Sequence, residues 1–219
     1  MKKILSAWGL AFLALVLILA PASAANEHAV TTSWSLAATS LSCHDQGEPG
    51  CVNIATAIVG DGPLGGVTFC VDVGDYRGAE PLVANGCVSV DPSQLVVDDG
   101  EVAIAPVDLP AVYTLDCYQA DPEEGCVARS LTLTASASFS AVGDAIDYQY
   151  ITRSVSGPCL TTQIVRGSRV DVIGSLTVNG SFYDLSGIDP SIHHFEATLD
   201  RETVRSMVRC TGKVDAHQG

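Results

Sequence analysis

Three kinds of residue in this chain are spaced so that they could do chemistry. The first is a short acidic run, Asp98-Asp99-Gly100-Glu101, with Asp91 a few residues before it. Hard oxygen ligands converging on a turn are what calcium requires, so Asp91, Asp98, Asp99 and Glu101 form the candidate calcium set. The run does not follow the EF-hand pattern, and acids on turns commonly serve only to solvate them. The second is His194-Phe195-Glu196, which on a strand puts an imidazole and a carboxylate on one face. His193 and His194 are adjacent, so a strand points them to opposite sides and they make poor paired ligands. The third is a pair of rings, Tyr148 and Tyr150, also two apart. They are candidate binding residues if exposed as a platform. A place in the core, with hydroxyls at its rim, is the favoured expectation.

No nucleophile elbow, zinc-protease helix or phosphate loop is written in the sequence. The expectation is therefore no enzyme, no cofactor beyond calcium, and binding through loops on a rigid scaffold. A hydrolase with a loop-assembled site using His193 or His194, a small-molecule carrier and a protease inhibitor are the alternatives.

The cysteines say more. LSCHDQGEPGCV at 41–52 and LDCYQADPEEGCV at 115–127 write the same small loop twice: Leu-x-Cys, a polar acidic insert, Cys-Val. The spacing is too wide for a zinc knuckle and suits a disulfide at the base of a hairpin. Pairings Cys43–Cys51 and Cys117–Cys126 follow. Cys70–Cys87 and Cys159–Cys210 follow in chain order from the remaining four. Eight cysteines in an even framework imply an oxidising compartment.

The N-terminus agrees. Lys2 and Lys3 precede an apolar stretch from Ile4 to Ala20, then Pro21 and Ala22-Ser23-Ala24. This reads as a signal peptide over 1–24, with no membrane insertion after cleavage and a secreted product. A periplasmic home stays open. Loss of the two lysines takes the formal charge of −14 to −16. Nucleic acid and anionic lipid are thus not expected as partners by charge; an extracellular or cell-surface ligand is. Between Asn26 and Ala128 the only base is Arg77, so the first half carries the acidity, and its turns are the expected contact.

The elements that must position these residues read as strands. Val67, Phe69, Val71 and Val73 alternate with Thr68, Cys70 and Asp72. Leu131, Leu133, Ala135, Ala137 and Phe139 alternate with a Thr/Ser row from Thr132 to Ser140. Asn179-Gly180 is a two-residue hairpin turn. The segment 201–210, RETVRSMVRC, fits a helix or a strand equally. The expected fold is all-β: a disulfide-stapled β-sandwich of immunoglobulin-like style over 25–219. Two pseudo-repeated halves near 25–105 and 106–219 would build it; two packed sandwiches are the alternative. The layout of short disulfide loops on an exported sandwich resembles the apoproteins that carry enediyne chromophores, without a shared motif.

Overall fold

The structure, a computed structural model, describes residues 27–45, 48–61, 66–98, 100–114, 129–188, 192 and 194–210. The expected signal peptide over 1–24, Cys117, Cys126, Asp99 and His193 lie outside the described residues.

Alternation becomes strand wherever it was written. The chain forms β1 (Glu27–Leu41), β2 (Val52–Asp61), β3 (Val67–Asp75), β4 (Leu82–Val90), β5 (Leu95–Asp98), β6 (Glu101–Tyr113), β7 (Arg129–Ser156), β8 (Cys159–Val178), β9 (Ser181–Leu185) and β10 (His194–Cys210). A single 3-10 turn, Pro92–Gln94, precedes β5. All four inward residues of β3 are buried, and so are Leu133, Ala135, Ala137 and Phe139 of β7, with Thr132, Thr134, Ser138 and Ser140 exposed. Asn179 and Gly180 both take positive φ, 49° and 81°, between paired Val178 and Ser181. That is the backbone a two-residue hairpin needs to match strand twist, and Asn-Gly adopts it at least cost.

The pairing differs from a sandwich. The strands make one antiparallel sheet in the order β10-β1-β2-β3-β4-β6-β7-β8-β9, and β10 also pairs with β8. Hydrogen-bonded neighbours therefore run in a ring of eight: β1, β2, β3, β4, β6, β7, β8, β10. The sheet closes as a barrel instead of stacking as two layers. An in–out alternation is common to both designs, so periodicity could not separate them; only the double pairing of β10 does. The interior is filled by one cluster drawn from both halves of the chain, with Leu36, Ile58, Phe69, Val71, Leu109, Leu133, Phe139 and Leu176 among its most buried members. Apolar inside with hydroxyls outside is the reverse of a barrel that faces lipid. The division expected between the halves, at Ala105 and Pro106, falls inside β6, at a register shift between Ile104 and Val107.

Four strands outrun the barrel. β7 shifts register between Val142 and Ile146, where Gly143 takes φ 81°, and then continues. Beyond that bulge β7, β8, β10 and the start of β1 extend as a ribbon, in that lateral order. The ambiguous segment 201–210 is strand here, paired on both sides: Val204 meets Val165 and Thr31. Long-range pairing outweighs its local preference.

Disulfides staple neighbours. Cys70 and Cys87 are direct partners of β3 and β4, Cys159 and Cys210 of β8 and β10. Cys43–Cys51 closes the base of the β1–β2 hairpin. No described cysteine is free. The expected Cys117–Cys126 bridge falls outside the described residues.

Candidate functional site

Registers of the ribbon fix which side chains share a face. One face continues the barrel interior. Its rows run Asp147–Ser168–Arg201–Trp34, then Gln149–Arg166–Thr203–Thr32, then Ile151–Ile164–Arg205–Val30. Next come Arg153–Thr162–Met207 and, at the tip, Val155–Leu160–Arg209. Directly paired residues lie on the same side of a sheet. Among the described residues five arginines (Arg153, Arg166, Arg201, Arg205 and Arg209) therefore stand on one face with a single carboxylate, Asp147, and all five are exposed. The chain's overall charge is −14, so this face has the opposite sign to the molecule that bears it.

Where the ribbon leaves the barrel, this face forms a cleft of about 830 Å³. Thr32, Trp34, Asp147, Gln149, Arg166, Ser168, Arg201 and Thr203 line it from this face, Val97 of β5 walls the other side, and Ser33, Tyr148, Gly167 and Glu202, whose positions alternate with these, border it as well. Trp34 is 9% exposed and belongs to the core, while one side of it meets the cleft. Arg201 Nη2 donates to the Asp98 carbonyl at 3.2 Å, tying the β5–β6 hairpin to β10. Arg166 Nε donates to Gln149 Oε1 at 2.9 Å, which holds the guanidinium along its row.

The opposite face carries the tyrosines. The expectation of a core position is corrected: Tyr148 and Tyr150 lie on the ribbon, outside the barrel interior, and Tyr150 is 45% exposed. Their rings stack at 6.3 Å and 10°. Tyr148 covers Gly167, its partner on β8, and its hydroxyl donates 2.7 Å to Glu202 Oε1 on β10. Burial first, then that hydrogen bond to a carboxylate, push the Tyr148 phenol far above its ordinary value. Arg169 pairs with Asp200 at 2.8 Å beside them. Two residues apart on an edge strand was the readable signal; that the strand had left the core was not.

The acidic residues are divided. Asp91 caps the 3-10 turn: its Oδ1 accepts from Ser93 N at 2.8 Å and Ser93 Oγ at 2.7 Å. Those bonds hold its carboxyl below the ordinary range. Asp98 and Glu101 face each other across the β5–β6 turn, with Gly100 at φ 89°. Among the described residues no group of three or more His, Cys, Asp or Glu is placed to hold a metal ion. His194 and Glu196 do share the outer face of β10, both exposed, far along the strand from the cleft.

At the other end of β3 a different cluster forms. Arg77 donates from Nε to Asp75 Oδ1 at 3.0 Å and from Nη2 to Oδ2 at 2.7 Å, and its guanidinium lies 5.1 Å from the Tyr183 ring centre. The sole base of the acidic half is thus held in an internal pair.

No family model, no curated protein and no solved structure matches this chain.

Proposed function

We propose that the protein is an exported, non-enzymatic binding protein whose ribbon takes an anionic group of an extracellular or cell-surface polymer on its arginine face. The observation that carries this reading is the segregation of five arginines on one side of four strands, against one carboxylate. Like charges gathered on one face repel one another, and an anion relieves that cost. Guanidinium forks match the two oxygens of a carboxylate, sulfate or phosphate. Hydroxyls of Thr32, Ser168 and Thr203 beside Arg166 and Arg201 supply the neutral hydrogen bonds that a sugar bearing such a group would take. A cleft of about 830 Å³ is in the range of small-ligand sites. A net charge of −14 works against a long polyanion such as nucleic acid and leaves a local acidic group as the better match. This moves the expected contact from the acidic turns to a basic face. Three disulfides fit the oxidising exterior that the reading requires. The hydrolase reading gains nothing, because His194 stands exposed on the outer face.

Without residues 1–24 the chain has one tryptophan, Trp34, and it lines the cleft. Its emission reports occupancy directly. Titration with oligogalacturonate is expected to give a saturable change that weakens with salt and is lost in Arg166→Ala. A neutral oligosaccharide of equal length is expected to give none. Equal responses to both, or to neither, would overturn the reading. Binding abolished by chelator alone would instead hand the contact to Asp98 and Glu101 through calcium.

A further inference from the structure

The ribbon has an open side. β6 pairs with β7 only as far as Ser140, so from Val142 to Ser156 the described residues pair β7 with β8 alone. That leaves a row of main-chain N–H and C=O groups facing outward along fifteen residues. Proteins blunt such edges with prolines, bulges, shortness or charged side chains, lysine above all. Past its bulge near Gly143 this edge carries no proline and no lysine, and its two charges, Asp147 and Arg153, are of opposite sign: it reads AIDYQYITRSVS from Ala145 to Ser156. Ile146, Tyr150, Ile151 and Val155 are 71%, 45%, 52% and 77% exposed. The other side of the ribbon is less suited, since β1 is paired by β10 alone only from Glu27 to Thr32.

We infer that this edge pairs with the same edge of a second copy of the chain, antiparallel, about a two-fold axis at Tyr150. A two-fold requires each residue to face the one equally far on the other side of the axis. With Tyr150 opposite itself, Asp147 faces Arg153 and Arg153 faces Asp147, so one register makes two opposite-charge pairs. Shifting the axis to Gln149 or Ile151 puts Asp147 against Ile151 or Val155 and loses both. Tyr148 then faces Thr152, Ile146 faces Ser154 and Ala145 faces Val155. These are aromatic and β-branched neighbours of the kind that stabilise cross-strand pairs. The ladder would add roughly one main-chain hydrogen bond per residue pair. It would join two four-stranded ribbons into one continuous sheet and set two arginine faces side by side.

Sedimentation equilibrium of the leaderless chain over a wide concentration range tests this. The wild type is expected to fit a monomer–dimer equilibrium. Arg153→Asp and Asp147→Arg each turn two attractive pairs into two repulsive ones, and each is expected to weaken the dimer by roughly tenfold. The double swap restores both pairs and is expected to recover the wild-type constant. Both substitutions are at exposed positions, and circular dichroism checks folding in each of the three variants. A chain that stays monomeric throughout overturns the inference. So does a dimer indifferent to either swap, or an open-ended assembly in place of a closed pair.

Discussion

The Tyr183 hydroxyl on β9 donates to Asp75 Oδ2 at the end of β3, 2.9 Å apart and 108 residues distant in sequence. The bond ties the short strand that β8 carries to the end of β3, and Arg77 completes it by gripping the same carboxylate in two places. Burial would raise the Asp75 carboxyl, but the Arg77 and Tyr183 hydrogen bonds outweigh it, and its pKa is lowered. For Tyr183 burial first, then the bond to Asp75, push the phenol up to about 12.

These two shifts set a stability profile with opposite limbs. A lowered carboxylate contributes stability above its unfolded value near 3.8, and that contribution is lost as pH falls through the folded value. A raised phenol contributes below its unfolded value of 10.0, and its share is lost as pH climbs toward 12. Asp75→Asn is expected to cost about 1–2 kcal/mol at neutral pH, a figure kept low because Arg77 is half exposed. Its gap to wild type should close as the pH falls below 3.8 and through the lowered folded value. Tyr183→Phe should flatten the alkaline limb instead. Urea midpoints from acid to alkaline pH measure both. A gap for Asp75→Asn that stays constant through the acid range would remove the linkage.

Gly167 and Tyr148 make a second checkable pair. A Cβ on Gly167 would collide with the Tyr148 ring and come within 2.8 Å of the Arg201 carbonyl. Gly167→Ala must lift the ring off β8, which breaks the hydroxyl's bond to Glu202 and unstacks Tyr150. Tyr148→Phe keeps the packing and loses only the hydrogen bond. The expected order is a cost of about 1 kcal/mol for Tyr148→Phe and about twice that for Gly167→Ala. Near-ultraviolet circular dichroism should change in Gly167→Ala well before the thermal midpoint. Equal costs would mean that the close approach is relieved elsewhere.

How much of this was legible follows from what each feature depends on. The buried rows of β3 and β7 were readable because alternation is local. Three cysteine pairings were readable because two cysteines about a hairpin, or consecutive in the chain, become neighbours when neighbouring strands pair. Barrel closure was not readable, since it rests on β10 pairing with both β1 and β8. Nor was strand length. The alternation of Leu131 to Phe139 stops short of Gly143, yet the bulge there bends one strand and does not end it: β7 runs on to Ser156. The arginine face was half visible. Arg201, Arg205 and Arg209 recur every fourth residue, which shares a face in a helix and in a strand alike. Arg153 and Arg166 join them only through register, which no window of sequence contains.

The last prediction concerns the tip of the ribbon, where little besides pairing holds the strands. Val155, Leu160 and Arg209 are all exposed there, so burial contributes little. Cys159–Cys210 closes a separation of 51 residues at that point, against 17 for Cys70–Cys87 and 8 for Cys43–Cys51. In the chain-entropy model these are worth about 4, 3 and 2.5 kcal/mol. Global unfolding of the paired Cys→Ala variants should follow that order. Hydrogen exchange should divide differently. Cys70 and Cys87 sit in barrel strands whose core remains, so their loss should raise exchange little and evenly. Loss of Cys159–Cys210 should raise it sharply over 159–165 and 204–210 while the barrel residues of β8, around Val172 and Leu176, stay protected. Because Arg205 and Arg209 lie in the loosened part and Arg166 and Arg201 nearer the barrel, affinity for an acidic saccharide should fall without vanishing. Uniform exchange along β8 in that variant would show the ribbon to be as self-supporting as the barrel, and the bridge at its tip to be no pin.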